Sequence, residues 1–374
     1  MKIPLFKIYH DEHDVESVSS VIKSGMQWAI GPSVKQFEQL ITQYLGIDYC
    51  VTFNSGTSAL HAILLAHSIH KGDEIIVPSL TFIATANAPL FVGARPVFAD
   101  VDQQTLGLDP DQVLGKVTSK TKAIIPVHYG GCPAPIQALK EIADDHNLIL
   151  IEDAAESFGA KIDDQMTGTF GQSSMLSFCQ NKIITTGEGG AIVTNSKEIY
   201  QKLRLIRSHG RMDDSNYFTS AISGDYVELG YNFRLSNINA ALGVSQLQKV
   251  EPIISMRQKA AHYYIENLKT VEEIILPFLP SNIRHVFQLF SIRVKNGRRD
   301  ALIDFLRKRG IMTKVYFSPV HLTHQYKNVL GYTDHLPVTE SIAKEILSIP
   351  IDPAITEKEL NYVIASIKSF YESE

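Results

Sequence analysis

The segment Cys50-Val51-Thr52-Phe53-Asn54-Ser55-Gly56-Thr57-Ser58-Ala59-Leu60 passes from a short apolar run, through a turn of hydroxyls around one glycine, into an apolar helical pattern. Cys50 to Phe53 reads as extended and Ala59 to His67 as helical, so the segment is one βα unit. The rhythm continues in both directions. Upstream, Pro32 to Leu45 has helical spacing. Downstream, Asp73 to Val77, Pro96 to Phe98 and Ala123 to Val127 read as strands, Ile136 to His146 as a helix, and Leu148 to Ile151, Met175 to Phe178 and Ala191 to Val193 as further strands. Several of these runs are apolar throughout rather than alternating, as expected of strands covered by helices on both faces. The fold class is therefore α/β with a mostly parallel sheet. Ligands in such folds gather outside the carboxyl ends of the strands, which directs attention to the residues just after each run.

Past Leu235 the pattern becomes one long helix-compatible stretch to about Leu268, interrupted at Pro252, and this reads as a bridge between domains. Residues 1–250 are expected to form a large domain and residues 251–374 a smaller α+β C-terminal domain. In the latter, Val286 to Val294 reads as a strand, Arg299 to Arg309 as a helix and Thr356 to Tyr371 as a terminal helix. There is no internal repeat and no low-complexity segment.

Composition narrows the function classes. With 374 residues and 44% hydrophobic content the chain can bury a large core. Its net charge is -5, from 35 basic and 40 acidic residues, and no basic stretch is dense enough for nucleic acid. The three cysteines, Cys50, Cys132 and Cys179, are too scattered for a metal site or a disulfide framework and read as reduced thiols. No segment approaches the roughly 18 uninterrupted apolar residues of a membrane helix, so a cytoplasmic protein with a small-molecule partner is expected.

Three features carry chemistry. Lys182 follows the strand-like run ending in Ser177-Phe178 and precedes Thr185-Thr186-Gly187-Glu188-Gly189-Gly190. A lysine at a strand end with a lowered pKa can condense with an aldehyde and then move a proton, although an isolated lysine is ordinarily a solvated surface charge. Asp153 ends the run Leu148 to Glu152, where it can pair with a protonated pyridine nitrogen or cap the following Ala154-Ala155 helix. The helix start at Asn54 to Ser58 can hold a phosphate, or its hydroxyls can serve as plain N-caps; no Walker lysine follows. Together, a lysine, a carboxylate and a phosphate cup at three strand ends are the contacts that pyridoxal 5'-phosphate (PLP) requires.

The order and wording of these motifs resemble the nucleotide-sugar aminotransferases often called the DegT/DnrJ/StrS family, a branch of the fold type I PLP enzymes. The resemblance runs nearly end to end, through Asn54 to Leu60, Pro78-Ser79-Leu80-Thr81-Phe82-Ile83-Ala84-Thr85, Val127-His128-Tyr129-Gly130-Gly131, Glu152-Asp153-Ala154-Ala155-Glu156, Asn181-Lys182 to Gly190, and Gly230-Tyr231-Asn232-Phe233-Arg234. It implies that Lys182 carries the cofactor and shuttles the proton, that Asp153 faces the pyridine nitrogen, and that Phe82 stacks on the ring. Gly56, Thr57 and Ser177, joined by Ser58, would contact the phosphate. Asn232 would reach the phosphate in a neighbouring subunit's site, making a homodimer with shared sites. Glu156 stands where a glutamine or histidine is common, and a carboxylate there would repel a phenolate unless protonated or turned away.

The resemblance further implies an amino donor, glutamate, and an acceptor, a nucleotide-linked keto sugar, with Arg234, Tyr316 and His321 as candidates for outer contacts. Lysine at position 182, where related dehydratases carry histidine, implies transamination. Gly230 to Ile238 is more similar to enzymes that aminate C4 of 4-keto-6-deoxy sugars, such as perosamine synthases, than to those acting at C3; cyclitol aminotransferases share the same cofactor motifs. A nucleotide-binding oxidoreductase would need the G-x-G-x-x-G turn that Asn54 to Leu60 lacks. A non-enzymatic regulator of this fold would carry an added DNA-binding segment or lack the lysine.

Overall fold

Among the residues described in the computed structural model, 1–211 and 225–372, a seven-stranded sheet forms the centre of the protein. Along the chain the strands are β1 (Tyr49–Phe53), β2 (Glu74–Pro78), β3 (Arg95–Ala99), β4 (Thr121–Ile124), β5 (Ile149–Asp153), β6 (Lys161–Ile162), β7 (Gln165–Met166), β8 (Ser173–Ser177) and β9 (Gly190–Thr194). The large sheet has the order β1-β9-β8-β5-β4-β2-β3. β9 is antiparallel to both its neighbours, and every other adjacent pair is parallel.

The uniformly apolar strands are explained by what covers them. In β2, Ile75 and Val77 enter a core with Ala59, Leu60, Ile63 and Ala86, from the helices Gly56–Ala66 and Ile83–Phe91. Ile76, between them, points to the opposite face and packs with Ile136, Leu139 and Ala143 of the helix Ile136–Asp145. Alternation along a strand thus delivers apolar side chains to two cores at once, each buried isoleucine or valine contributing roughly 1.5–3 kcal/mol.

A second, antiparallel sheet joins β10 (Ile274–Ile275), β12 (Phe290–Val294) and β13 (Ile346–Ile349), while β11 (Ile283–Arg284) pairs with β6. Phe290, Ile292 and Val294 of β12 share a core with Tyr264 and Leu268, Leu302 and Leu306, and Val363 and Ile367. Ile3 joins the same core and bridges to Ile311.

Two expectations about this half are corrected. The long helical stretch is two helices, Asn237–Leu247 and Val250–Leu268, and the break lies at residues 248–249. Pro252 sits in the first turn of the second helix, where a backbone N–H has no intrahelical acceptor and its absence costs nothing. The strand expected from Val286 begins only at Phe290. The residues before it turn onto the Tyr129–Gly131 turn, with the Val286 N–H donating to the Gly131 carbonyl at 3.2 Å and the Leu289 N–H to that of Gly130 at 3.1 Å. Only glycine fits at 131: its φ is +95°, and a Cβ there would lie 3.0 Å from the Gln288 nitrogen and 2.7 Å from Val286 Cγ2.

Candidate active site

Four parallel strands end on one side of the sheet, and the residues that follow them converge on a cavity of about 380 Å³. After β1 come Ser55, Gly56 and Thr57; after β2, Thr81, Phe82 and Thr85; β5 ends in Asp153; and β8 ends in Ser177, with Lys182 beyond it. Glu156 and Tyr316 also line the space.

Asp153 is buried and held on both oxygens. Thr85 Oγ1 donates to Oδ2 at 2.7 Å, and the Ala155 N–H donates to Oδ1 at 3.2 Å. The Thr85 hydroxyl is in turn hydrogen-bonded to Thr81 at 2.9 Å. Burial raises the Asp153 carboxyl above its ordinary range, against the opposing hydrogen bonds from Thr85 and Ala155. No helix follows Asp153, since the residues after it form a turn, so the helix-capping reading is corrected: one oxygen takes the Ala155 N–H within that turn, and the side chain lines the cavity.

Lys182 Nζ lies 3.3 Å from Glu156 Oε1, and Glu156 Oε2 accepts the Gly130 N–H at 2.8 Å. Both side chains are largely shielded. Gly130 adopts a φ of +62° in the Tyr129–Gly131 turn, which aims its N–H at the carboxylate. Glu156 is thus neither loose nor unpaired.

The helix Gly56–Ala66 starts at the cavity wall. Ser55 and Ser58 form a reciprocal capping box, which leaves the N–H groups of Gly56 and Thr57 without an acceptor among the described residues. A Cβ at Gly56 would press on Met175 Sδ at 3.2 Å and Ser177 Cβ at 3.3 Å, closing the gap between the helix start and the end of β8. Phe82 is 58% exposed on the cavity wall, its ring 6.0 Å from that of Phe317.

Four of the expected site residues lie elsewhere. The Ser58 hydroxyl accepts the Ser55 N–H at 3.2 Å, as the capping reading requires, also contacts Asn54 Oδ1, and does not line the cavity. Asn232 is exposed, and its carbonyl accepts from Asn54 Nδ2 at 3.5 Å. Arg234 Nη1 donates to Ser208 Oγ at 3.0 Å. His321 is only 2% exposed, with Nδ1 2.6 Å from Ser79 Oγ, its main-chain N–H donating to the same oxygen, and Nε2 3.5 Å from Glu340. Burial lowers the pKa of this imidazole against the pull of Glu340. The Ser79–His321 pair ties the segment carrying Phe82 to the segment carrying Tyr316 and Phe317. Replacing His321 with alanine leaves the buried Ser79 hydroxyl with the main-chain N–H of residue 321 but without its ring-nitrogen partner, a cost of about 1–3 kcal/mol that should appear as a lower urea midpoint. An unchanged midpoint would show that the bond contributes nothing.

The residues that the sequence did not single out are Thr85, which holds Asp153, and Lys314, which lines the cavity from a distant part of the chain. Thr85 had one usable signal: Thr81 and Thr85 are four apart at a helix start, the spacing that puts two hydroxyls side by side.

These groups fit PLP. A buried carboxylate lacks a full counter-charge, two helix-start N–H groups are open beside a hydroxyl, an aromatic face is exposed, and an amine is within reach. Fold and site together define a fold type I PLP-dependent transferase. The chain belongs to the DegT/DnrJ/EryC1/StrS aminotransferase family, whose model matches residues 9–368. That family is PLP-dependent. The chain is similar to a GDP-perosamine synthase of Caulobacter vibrioides, 36% identical over 91% of this chain and 90% of the relative. It is also similar to a GDP-perosamine synthase of Escherichia coli O157:H7, 34% identical over 99% and 98% of the two chains. Its fold matches that of PseC of Helicobacter pylori, an aminotransferase involved in the biosynthesis of pseudoaminic acid, with a TM-score of 0.94, 29% identity and full coverage of both chains. No helix among the described residues is long and apolar enough to cross a membrane.

Proposed function

We propose that this aminotransferase moves an amino group from glutamate to a nucleotide-linked keto sugar, at C4 of a 4-keto-6-deoxy hexose. The observation that carries the reading is the meeting of Lys182, Asp153, Phe82 and the helix start at Gly56 in one cavity. The similarity to two GDP-perosamine synthases supports the sugar class.

When bound, PLP supplies an electron sink conjugated to the nitrogen being transferred. The chain's residues do the rest. Asp153, oriented by Thr85 and Ala155, presents a carboxylate to the ring nitrogen. Gly56, Thr57 and Ser177 hold the phosphate, and Phe82 covers one face of the ring. Lys182 would anchor the cofactor and, once freed as an amine, would take the proton from the donor's α-carbon in the first half of the exchange and deliver a proton to the sugar carbon in the second. Glu156 keeps the lysine amine in place from one oxygen while Gly130 fixes the other. Of the three candidates for outer contacts, Tyr316 lines the cavity and is retained. Asn232, exposed on its own subunit, is assigned to the site of a second copy in a homodimer. Residues 1–250 form the cofactor-binding unit, and residues 251–374 contribute Tyr316.

The test is a substrate panel. The PLP-loaded protein with glutamate should aminate a nucleotide-linked 4-keto-6-deoxy hexose from a set carrying GDP, UDP or dTDP, with the amino sugar identified by mass. Turnover confined to 3-keto sugars or cyclitol ketones would reject the C4 assignment, and no turnover with any ketone would reject the sugar class.

A further inference from the structure

The lining of the cavity carries three carboxylates, Asp153, Glu156 and Glu188, and two ammonium groups, Lys182 and Lys314. Lys182 is engaged with Glu156, and Asp153 with Thr85 and Ala155. Lys314 pairs with no carboxylate among the described residues. On the reading proposed above, glutamate brings carboxylates and a nucleotide sugar brings a diphosphate into this acidic space. Either needs a cation, and Lys182 is committed to chemistry.

Lys314 is held in position for that task. Its N–H donates to the Ser348 carbonyl at 3.1 Å, and its own carbonyl accepts the Ser348 N–H at 2.9 Å, so its main chain is fastened to β13. Its Nζ sits 4.6 Å from the centre of the Tyr316 ring, and Tyr316 is buried in the same wall. A ring face under an ammonium restrains it without neutralising it, so the charge stays available. The side chain is exposed, which places the ammonium at the cavity's rim, beyond the buried Asp153.

We infer that Lys314 is the anion-recognising residue of this site, taking a carboxylate of the amino donor or the diphosphate of the nucleotide sugar. Binding of this kind lies away from the reacting carbon, so it governs substrate affinity and register and leaves the cofactor's attachment untouched.

The experiment is calorimetric titration of the PLP-loaded protein with glutarate, an unreactive dicarboxylate, and separately with GDP, UDP and dTDP. Wild type is compared with Lys314→Met and Lys314→Arg, and the visible cofactor band of each protein shows that its site is intact. Lys314→Met should weaken at least one class of anion by roughly tenfold or more, with Lys314→Arg recovering most of it. Loss of glutarate alone identifies the donor carboxylate as the ligand, loss of a nucleoside diphosphate alone identifies the diphosphate, and loss of both assigns Lys314 to the two substrates in turn. Equal affinities in wild type and Lys314→Met, or no binding of any probe by wild type, overturn the inference. A wild type that binds these anions but passes no amino group from glutamate to any ketone overturns the proposed function and leaves the anion site standing.

Discussion

Lys182→Ala should lose amino transfer almost completely, with turnover down by about ten-thousand-fold or more, because it removes the covalent anchor and the proton carrier together. The loss should be chemical rather than structural. Glu156, the partner left behind, keeps the Gly130 N–H at 2.8 Å and faces a cavity that water can enter, so its charge is not stranded in a sealed core. Circular dichroism and the urea midpoint should therefore stay close to wild type. Lys182→Arg should not rescue the reaction, since a guanidinium cannot give up its proton to become the nucleophile or base.

Asp153→Asn should lower turnover by about a hundred- to a thousand-fold, the order of magnitude attached to one preorganised electrostatic partner of the reacting group. The change is isosteric and removes only the charge opposite the ring nitrogen. The Thr85 hydroxyl can rotate from donor to acceptor because Thr81 offers it a second partner at 2.9 Å. Stability should move the other way. Burial raises the Asp153 carboxyl above its ordinary value of 3.8, so its ionisation opposes folding. That cost is absent below the unfolded-state pKa and grows as the pH climbs through the raised folded value. Cofactor-free Asp153→Asn should match wild type in acid and exceed it at neutral pH, as read from urea midpoints across the range. A variant less stable than wild type at neutral pH would show that the carboxylate is already compensated without the cofactor.

Much of the large sheet was legible because its strands are covered on both faces. Ile75, Ile76 and Val77 read as one apolar run, and the structure buries them in two different cores. Asp153 stood out as a charge closing such a run, and Gly56 as the one glycine among the hydroxyls of the turn. What escaped the sequence depends on distant contacts. Thr85 reaches Asp153 from 68 residues away, and Ser79 reaches His321 from 242. His321 stood as a candidate for an outer substrate contact, and only the bond to Ser79 reveals a buried tie. β13 was missed because Ile346 follows directly on the helix Pro337–Glu345, with no glycine or proline to mark the change. Val286 and Leu289 look like strand residues, but their N–H groups go to the Gly130-Gly131 turn instead of to a neighbouring strand. Lys314 carries no local mark at all. Its importance comes from the cavity it lines and the ring beneath it.

The central claim is that Lys182 carries the cofactor of an aminotransferase, and the most direct measurement is the absorption spectrum of the purified, PLP-treated protein beside that of Lys182→Ala. The expected result is a visible-region band in wild type that borohydride fixes to the Lys182 peptide and glutamate bleaches, with no protein-attached cofactor in the variant. A wild type with no band after PLP treatment, or a band fixed by borohydride to a different lysine, would contradict the account.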